Sequence, residues 1–248
     1  MQKSLLVNGC SHTAGAELEY PGQGICYDKA WGKHLADKLD YEYFNYATSG
    51  ASNARIVRTT YDFIFRYAKK KRDFKDLFVI ILWPGFYRTE IHFEKKYDYN
   101  WDDNWLPIVV GNEKRYYDTL PAPLYNYYQG WVTYTDNTMA ATEFYGHVLN
   151  LQNLFKRYGV KHMFLNATPT CADLAQRKEF DSYSIHVDRS RFPDFRYADK
   201  SYTTLCHQND QSISQHSVES GFNSHYDEEA HKWYAQYLFD LIKDKELL

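Results

Sequence analysis

Three side chains able to serve as nucleophile or base stand together near the start of the chain. They are Cys10, Ser11 and His12, directly after Gly9 in LLVNGCSHTAG (residues 5–15). A serine hydroxyl becomes a nucleophile only when a base takes its proton, so Ser11 needs an imidazole within hydrogen-bond reach. Adjacent strand residues point to opposite faces. If Ser11 faces a cleft, Cys10 faces the packing, where a buried thiol is the usual state of a free cysteine. An ordinary turn also uses Ser and Gly, so a loop without chemistry remains the alternative. Three more stretches bring polar groups to the ends of elements. These are NYATSGASNARI (45–56) with Gly50 and Asn53, LWPGFYRTE (82–90) with Trp83 and Arg88, and GFNSHYDEEAH (221–231) with Asn223, His225 and His231.

The elements that must position these groups alternate between strand and helix, the mark of an α/β fold. Strands are predicted over 3–9, 41–47, 76–83 and 160–167. DLFVIILW (76–83) is apolar at almost every position, as a strand covered on both faces should be. A helix is expected after Asp28, which is placed to cap it, with Trp31, Leu35 and Leu39 on one face. A second helix runs from Ser52 to about Lys70, its stripe formed by Ile56, Val57, Thr60, Tyr61, Ile64, Phe65 and Ala68. A third spans about 138–158 and closes at Gly159. The last carries Ala230, Trp233, Tyr234, Tyr237, Leu238, Leu241 and Ile242 at helical spacing, and Ser224 with Asp227 gives an S-x-x-D capping pattern. Residues 84–137 break the rhythm and read as an aromatic-rich insertion. Residues 168–222 read as irregular. The expected architecture is a flavodoxin-like three-layer α/β/α sandwich around a parallel sheet of four to five strands, in one domain spanning 1–248. In such sheets ligands bind beyond the carboxyl ends of the strands.

Taken in order, the four polar stretches resemble the blocks of the SGNH/GDSL hydrolases. GCSHT stands where that family has G-D-S-x-T, Gly50 matches the glycine of its second block, and VIILWPGFYRTE occupies the place of the third. His225 matches the histidine before the terminal helix. The G-C-S form is similar to variant members common among phage and bacterial proteins. The resemblance implies Ser11 as nucleophile, His225 as base, and the Ser11 and Gly50 amides as oxyanion donors. The sequence departs from the family at two places. The third block lacks its asparagine, for which Asn53 is the preferred substitute ahead of the Gly85 amide, Trp83 or Arg88. The position two before His225, usually aspartate, holds Asn223, which can orient a ring but cannot stabilise an imidazolium as a carboxylate does. In serine proteases an Asp-to-Asn change in that role costs about 10⁴ in rate. His12, Trp83 and Arg88 are the candidate substrate contacts, with two alternatives open: His12 lines the pocket or only covers the loop, and Arg88 with Glu90 is a salt-bridged structural pair or a pair of substrate contacts. His231 flanks an apolar stripe, which suits packing.

Composition narrows the function classes. Net charge is −3 over 248 residues and the isoelectric point is near 6.4, which argues against electrostatic nucleic-acid binding. The one basic run, Lys69–Arg72, falls at a helix end, where cations complement the dipole. No apolar run reaches the length of a membrane span, and no signal peptide is evident, so a cytoplasmic protein without membrane contact is expected. Four cysteines without paired spacing fit a reduced protein, and Cys206, His207 and His216 lack the spacing of a metal site. No cofactor or metal is expected. Twenty-four tyrosines and six tryptophans give large amphipathic surfaces. The expected activity is an SGNH-type serine esterase or acyl hydrolase acting on a small-molecule or glycan ester, with a carbohydrate O-acyl ester among the options. The alternatives are a weakened or inactive binding protein on the same scaffold, or an acyltransferase using the same Ser–His pair. Oligomeric state is not encoded legibly.

Overall fold

Strand β1 (Ser4–Gly9) is buried at every position, which is what its apolar run requires when helices cover both faces. In this computed structural model the described residues are 2–18, 24–70, 72–93, 104–109, 120–219 and 225–248. After β1 come the one-turn helix α1 (Ser11–Ala14), α2 (Trp31–Leu39), β2 (Glu42–Asn45), α3 (Asn53–Lys69) and β3 (Leu77–Trp83). An antiparallel hairpin β4 (Arg88–His92) and β5 (Trp105–Val109) follows. Next are α4 (Ala122–Tyr134), α5 (Asn137–Tyr158) and β6 (Lys161–Asn166). Four short helices, α6 (Thr170–Ala175), α7 (Asp181–Ser184), α8 (Tyr202–Gln208) and α9 (Gln215–Glu219), lead to α10 (Glu228–Asp244).

The main sheet has the order β2-β1-β3-β6 with every pair parallel. The chain leaves β1 toward β2 through α2, then crosses through α3 to β3 on the other side of β1. Right-handed crossovers in opposite directions put α2 and α3 on opposite faces. Helix α10 packs beside α2 and α5 beside α3, which completes three layers. This is the flavodoxin-like order, cut to four strands, and its switch point lies between the carboxyl ends of β1 and β3.

The sequence located the four strands of the main sheet and helices α2, α3, α5 and α10 to within a few residues, with instructive exceptions. Asp28 lies in a 3₁₀ turn (Tyr27–Lys29), and Ala30 takes the N-cap of α2 without a side-chain bond. The first N–H of α2, on Trp31, donates instead to His231 Nδ1 at 3.0 Å, across 200 residues of sequence. On α3 the buried stripe includes Phe63 and Tyr67, while Phe65 is exposed. Ser52 caps that helix by accepting from the Arg55 N–H. Asp227 caps α10 by accepting from the Ala230 N–H, and Ser224 lies outside the described residues. The 84–137 segment contains the hairpin and α4, which share a small core of Leu106, Ile108, Leu120, Tyr128 and Trp131.

Candidate active site

Ser11 opens α1 immediately beyond the carboxyl end of β1, at the switch point of the sheet. Two asparagines, Asn8 buried and Asn45 half-buried, fix the backbone around it. Asn8 accepts from the Gly9 N–H through Oδ1 and donates from Nδ2 to the Ile56 carbonyl and to Thr59 and Thr60, which locks the end of β1 to α3. Asn45, at the end of β2, donates from Nδ2 to the Thr13 carbonyl at 2.9 Å, holding the turn that carries Ser11. Cys10 is buried in the core and Ser11 is half-buried. The turn closes at Gly15, whose φ of +70° is left-handed and where a Cβ would stand 2.4 Å from the Cys26 carbonyl oxygen.

His225 arrives from the far end of the chain just before α10. Its backbone is held on both sides: its N–H donates to Ser217 Oγ and its carbonyl accepts from the Ser214 N–H. Its Nδ1 lies 2.8 Å from Glu17 Oε2, and the two side chains are only 16% and 10% exposed. Its ring meets the ring of His12, the residue after Ser11, with centroids 5.2 Å apart. Among the described residues no hydrogen bond joins Ser11 Oγ to His225. Nucleophile–base bonds are often long before substrate binds. A carboxylate on Nδ1 favours the neutral tautomer with its proton on Nδ1, which leaves Nε2 as the basic nitrogen.

The remaining expected residues divide into those near this pair and those away from it. His12 is buried, and burial first, then the neighbouring His225, Arg88 and His231, hold its imidazole well below the usual range, so the ring is neutral. Tyr202 backs it at 5.3 Å between centroids. The Arg88 guanidinium is close enough for His12 to feel its charge, and Nη1 reaches the Ala51 carbonyl at 3.5 Å. Asn53 is buried at the start of α3, donates to the Gly85 carbonyl at 3.4 Å, and has no partner on Oδ1. Gly50 adopts φ +69° in the loop after β2. Trp83 does not join the group: it is fully buried, edge-on to Phe144 and Phe164 in the core, and lines packing. Asn223 lies outside the described residues. Cys206 is buried in the core with its thiol pushed up to about 12 by burial, and among the described residues no group of three or more His, Cys, Asp or Glu side chains is placed to hold a metal ion. No described helix is long and apolar enough to cross a membrane.

Glu17, which the sequence does not single out, meets His225 in this group. It is an acid six residues after Ser11, and nothing in its spacing from His225, 208 residues away, marks the pair.

Residues 18–240 match the sequence model of a family of unknown function, DUF6071. The chain belongs to that family. The DUF6071 match begins just after Glu17 and takes in His225. No curated protein matches the sequence. Among solved structures, the chain is similar to the esterase EstA of Pseudoalteromonas sp., at 12% identity over 98% of both chains with a TM-score of 0.45. It is similar to a carbohydrate acetylesterase family member from Sinorhizobium meliloti, at 12% identity over 98% of this chain and 99% of that one, TM-score 0.47. A G-D-S-L family lipolytic protein from Veillonella parvula is likewise 12% identical, over 97% and 98%, TM-score 0.46. At these identities and scores the likeness carries no conclusion about activity.

Proposed function

We propose that this DUF6071 protein is a serine acyl hydrolase of the SGNH type, acting on an ester through an acyl-enzyme on Ser11. One observation carries the reading: the two ends of the chain meet at the sheet's switch point. There the ring of His225 packs on the residue next to Ser11 and has its Nδ1 already engaged. Ser11 Oγ attacks the acyl carbon while its proton passes to His225 Nε2. The bond to the leaving alcohol then breaks and the alcohol takes that proton. Water repeats the sequence in reverse: its proton goes to Nε2, its oxygen joins the acyl carbon, and Ser11 leaves reprotonated. The Ser11 and Gly50 amides, with Asn53 as a third donor, are the proposed oxyanion contacts, since donors fixed before the reaction stabilise the developing charge without reorganisation. His12 and Arg88 are the proposed substrate contacts. The chain's many tyrosines and tryptophans make acylated glycans the first natural class to try.

The test is hydrolysis of p-nitrophenyl acetate and of acetylated sugars. Wild type is expected to turn over, and Ser11→Ala and His225→Ala to lose roughly 10³-fold or more of kcat. Equal activity in wild type and Ser11→Ala overturns the mechanism.

A further inference from the structure

We infer that Glu17 is the orienting acid of this site, taking the place of the residue two before the histidine. The inference rests on the reading of Ser11 and His225 as nucleophile and base, and it names the group that His225 leans on.

Glu17 Oε2 meets the Nδ1 of His225 at 2.8 Å, the nitrogen that must be held if Nε2 is to face a hydroxyl. Both side chains are largely out of solvent, 16% and 10% exposed, so the contact is not a screened surface pair.

Glu17 has φ +65°, a left-handed conformation that is uncommon for a residue with a Cβ. Such outliers persist where the surroundings over-determine them, and they cluster at functional sites. Here the surroundings are visible. The Glu17 N–H donates to the Gly24 carbonyl at 3.2 Å, Ala16 bridges Ile25, and the Cys26 N–H donates to the Gly15 carbonyl at 3.0 Å. The Ala16 N–H donates to the carbonyl of Ser11 itself at 3.1 Å, so nucleophile turn and acid are joined through one residue. With Gly15 also left-handed at φ +70°, two of residues 15–17 take this conformation, and the Glu17 carboxylate that follows them meets His225.

The departure at Asn223 then has a chemical counterpart. An amide two before the histidine cannot stabilise an imidazolium, and a carboxylate reaching Nδ1 from the first loop can. Glu17 acts through His225 and is therefore a positioning residue.

The experiment follows the rate at which a fluorophosphonate labels Ser11, which needs no natural substrate. It compares wild type, Ser11→Ala, Glu17→Gln and Glu17→Asp, with thermal melts of each. Wild type is expected to label at Ser11 and Ser11→Ala not to label. Glu17→Gln keeps size and backbone demands and removes charge. It is expected to slow labelling by roughly 10²–10⁴-fold with little change in melting temperature, and Glu17→Asp to recover part of that loss. If wild type labels at Ser11 and Glu17→Gln labels within about threefold of it, the inference about Glu17 is overturned while the hydrolase reading stands. If folded wild type does not label at Ser11, the hydrolase reading falls and takes this inference with it. A second measurement on the wild-type chain does not depend on any variant folding. The ¹⁵N spectrum of neutral His225 is expected to show the Nδ1–H tautomer, and the Nε2–H tautomer overturns the inference.

Discussion

Gly9 has no side chain because the space for one is already filled. A Cβ there would lie 2.4 Å from Thr13 Oγ1 and 2.8 Å from the Leu82 carbonyl oxygen. The threonine can rotate, but the Leu82 carbonyl is strand backbone in register with Gly9. Gly9→Ala is therefore expected to cost about 1–3 kcal/mol, read from the urea midpoint. Asn45 shows the complementary case, a side chain needed for its hydrogen bonds. Besides the Thr13 carbonyl it serves the Tyr43 hydroxyl, and its Oδ1 accepts from the Ala47 N–H. Asn45→Ala leaves the Thr13 carbonyl and the Ala47 N–H without this partner, at a cost of about 1–3 kcal/mol. Because Thr13 shares its turn with Ser11, the same variant is expected to slow fluorophosphonate labelling by roughly 10–100-fold. Ser11 and Gly9 were legible in the sequence because a strand that ends in glycine and then displays a serine is a local pattern. Asn45 was not singled out there, since its partner lies 32 residues away.

Between elements, legibility followed how local each element's causes are. Helices α5 and α10 carry their own signals: α5 has its cap at Asp136 and its stop at Gly159, and α10 its cap at Asp227. The start of α2 was misplaced onto Asp28 because its acceptor, His231, belongs to the last helix. That ring also explains itself: Nδ1 accepts from Trp31, so the proton sits on Nε2, which faces the Tyr202 hydroxyl at 3.4 Å. Burial holds this imidazole down to about 3, in keeping with the neutral acceptor. The hairpin of β4 and β5 was illegible for a related reason, since its small core draws on residues from Leu106 to Trp131. It is fastened to α3 by Arg58, which pairs with Glu90 at 2.9 Å and lies 4.4 Å over the Trp105 ring. The Glu90 side chain is 3% exposed. Removing its charge leaves a guanidinium facing a buried site, so Glu90→Gln is expected to cost about 2 kcal/mol, less than a fully buried pair because Arg58 is partly solvated. The exposed pair of Arg66 with Asp62 on the same helix gives the comparison: Asp62→Asn should change stability by no more than about 0.5 kcal/mol. Chemical denaturation of the two variants separates these cases.

Across the whole molecule, residues from near both ends of the chain come together, and burial elsewhere sets how the protein responds to acid. The α/β fold class was readable from alternation of elements, and Ser11 and His225 as candidates from motif order. Glu17 was not, because its approach depends on left-handed turns that spacing does not encode. The same packing buries histidines. His147 and His162 are lowered from 6.5 to about 4, and His231 to about 3, each chiefly by desolvation. A histidine whose folded value is depressed binds fewer protons folded than unfolded between those two values. Stability is then fully present above about 6.5 and falls as pH drops through that window. Asp194 acts in the opposite sense: burial raises its carboxyl well above 3.8, so its contribution is lost as pH rises through the folded value. A single-site comparison cancels Asp194, because it is present in both proteins. His162 suits that comparison, since its ring lies among Phe155 and Phe164 and its Nδ1 is 3.1 Å from the Val160 carbonyl. His162→Phe removes the titration and keeps an aromatic ring. Relative to wild type, it is expected to gain on the order of 2–3 kcal/mol between pH 7 and pH 4, after the constant cost of the lost bond is subtracted. Urea midpoints at pH 7, 5.5 and 4 measure this, and parallel curves for the two proteins would show that His162 is not the neutral buried imidazole its surroundings require.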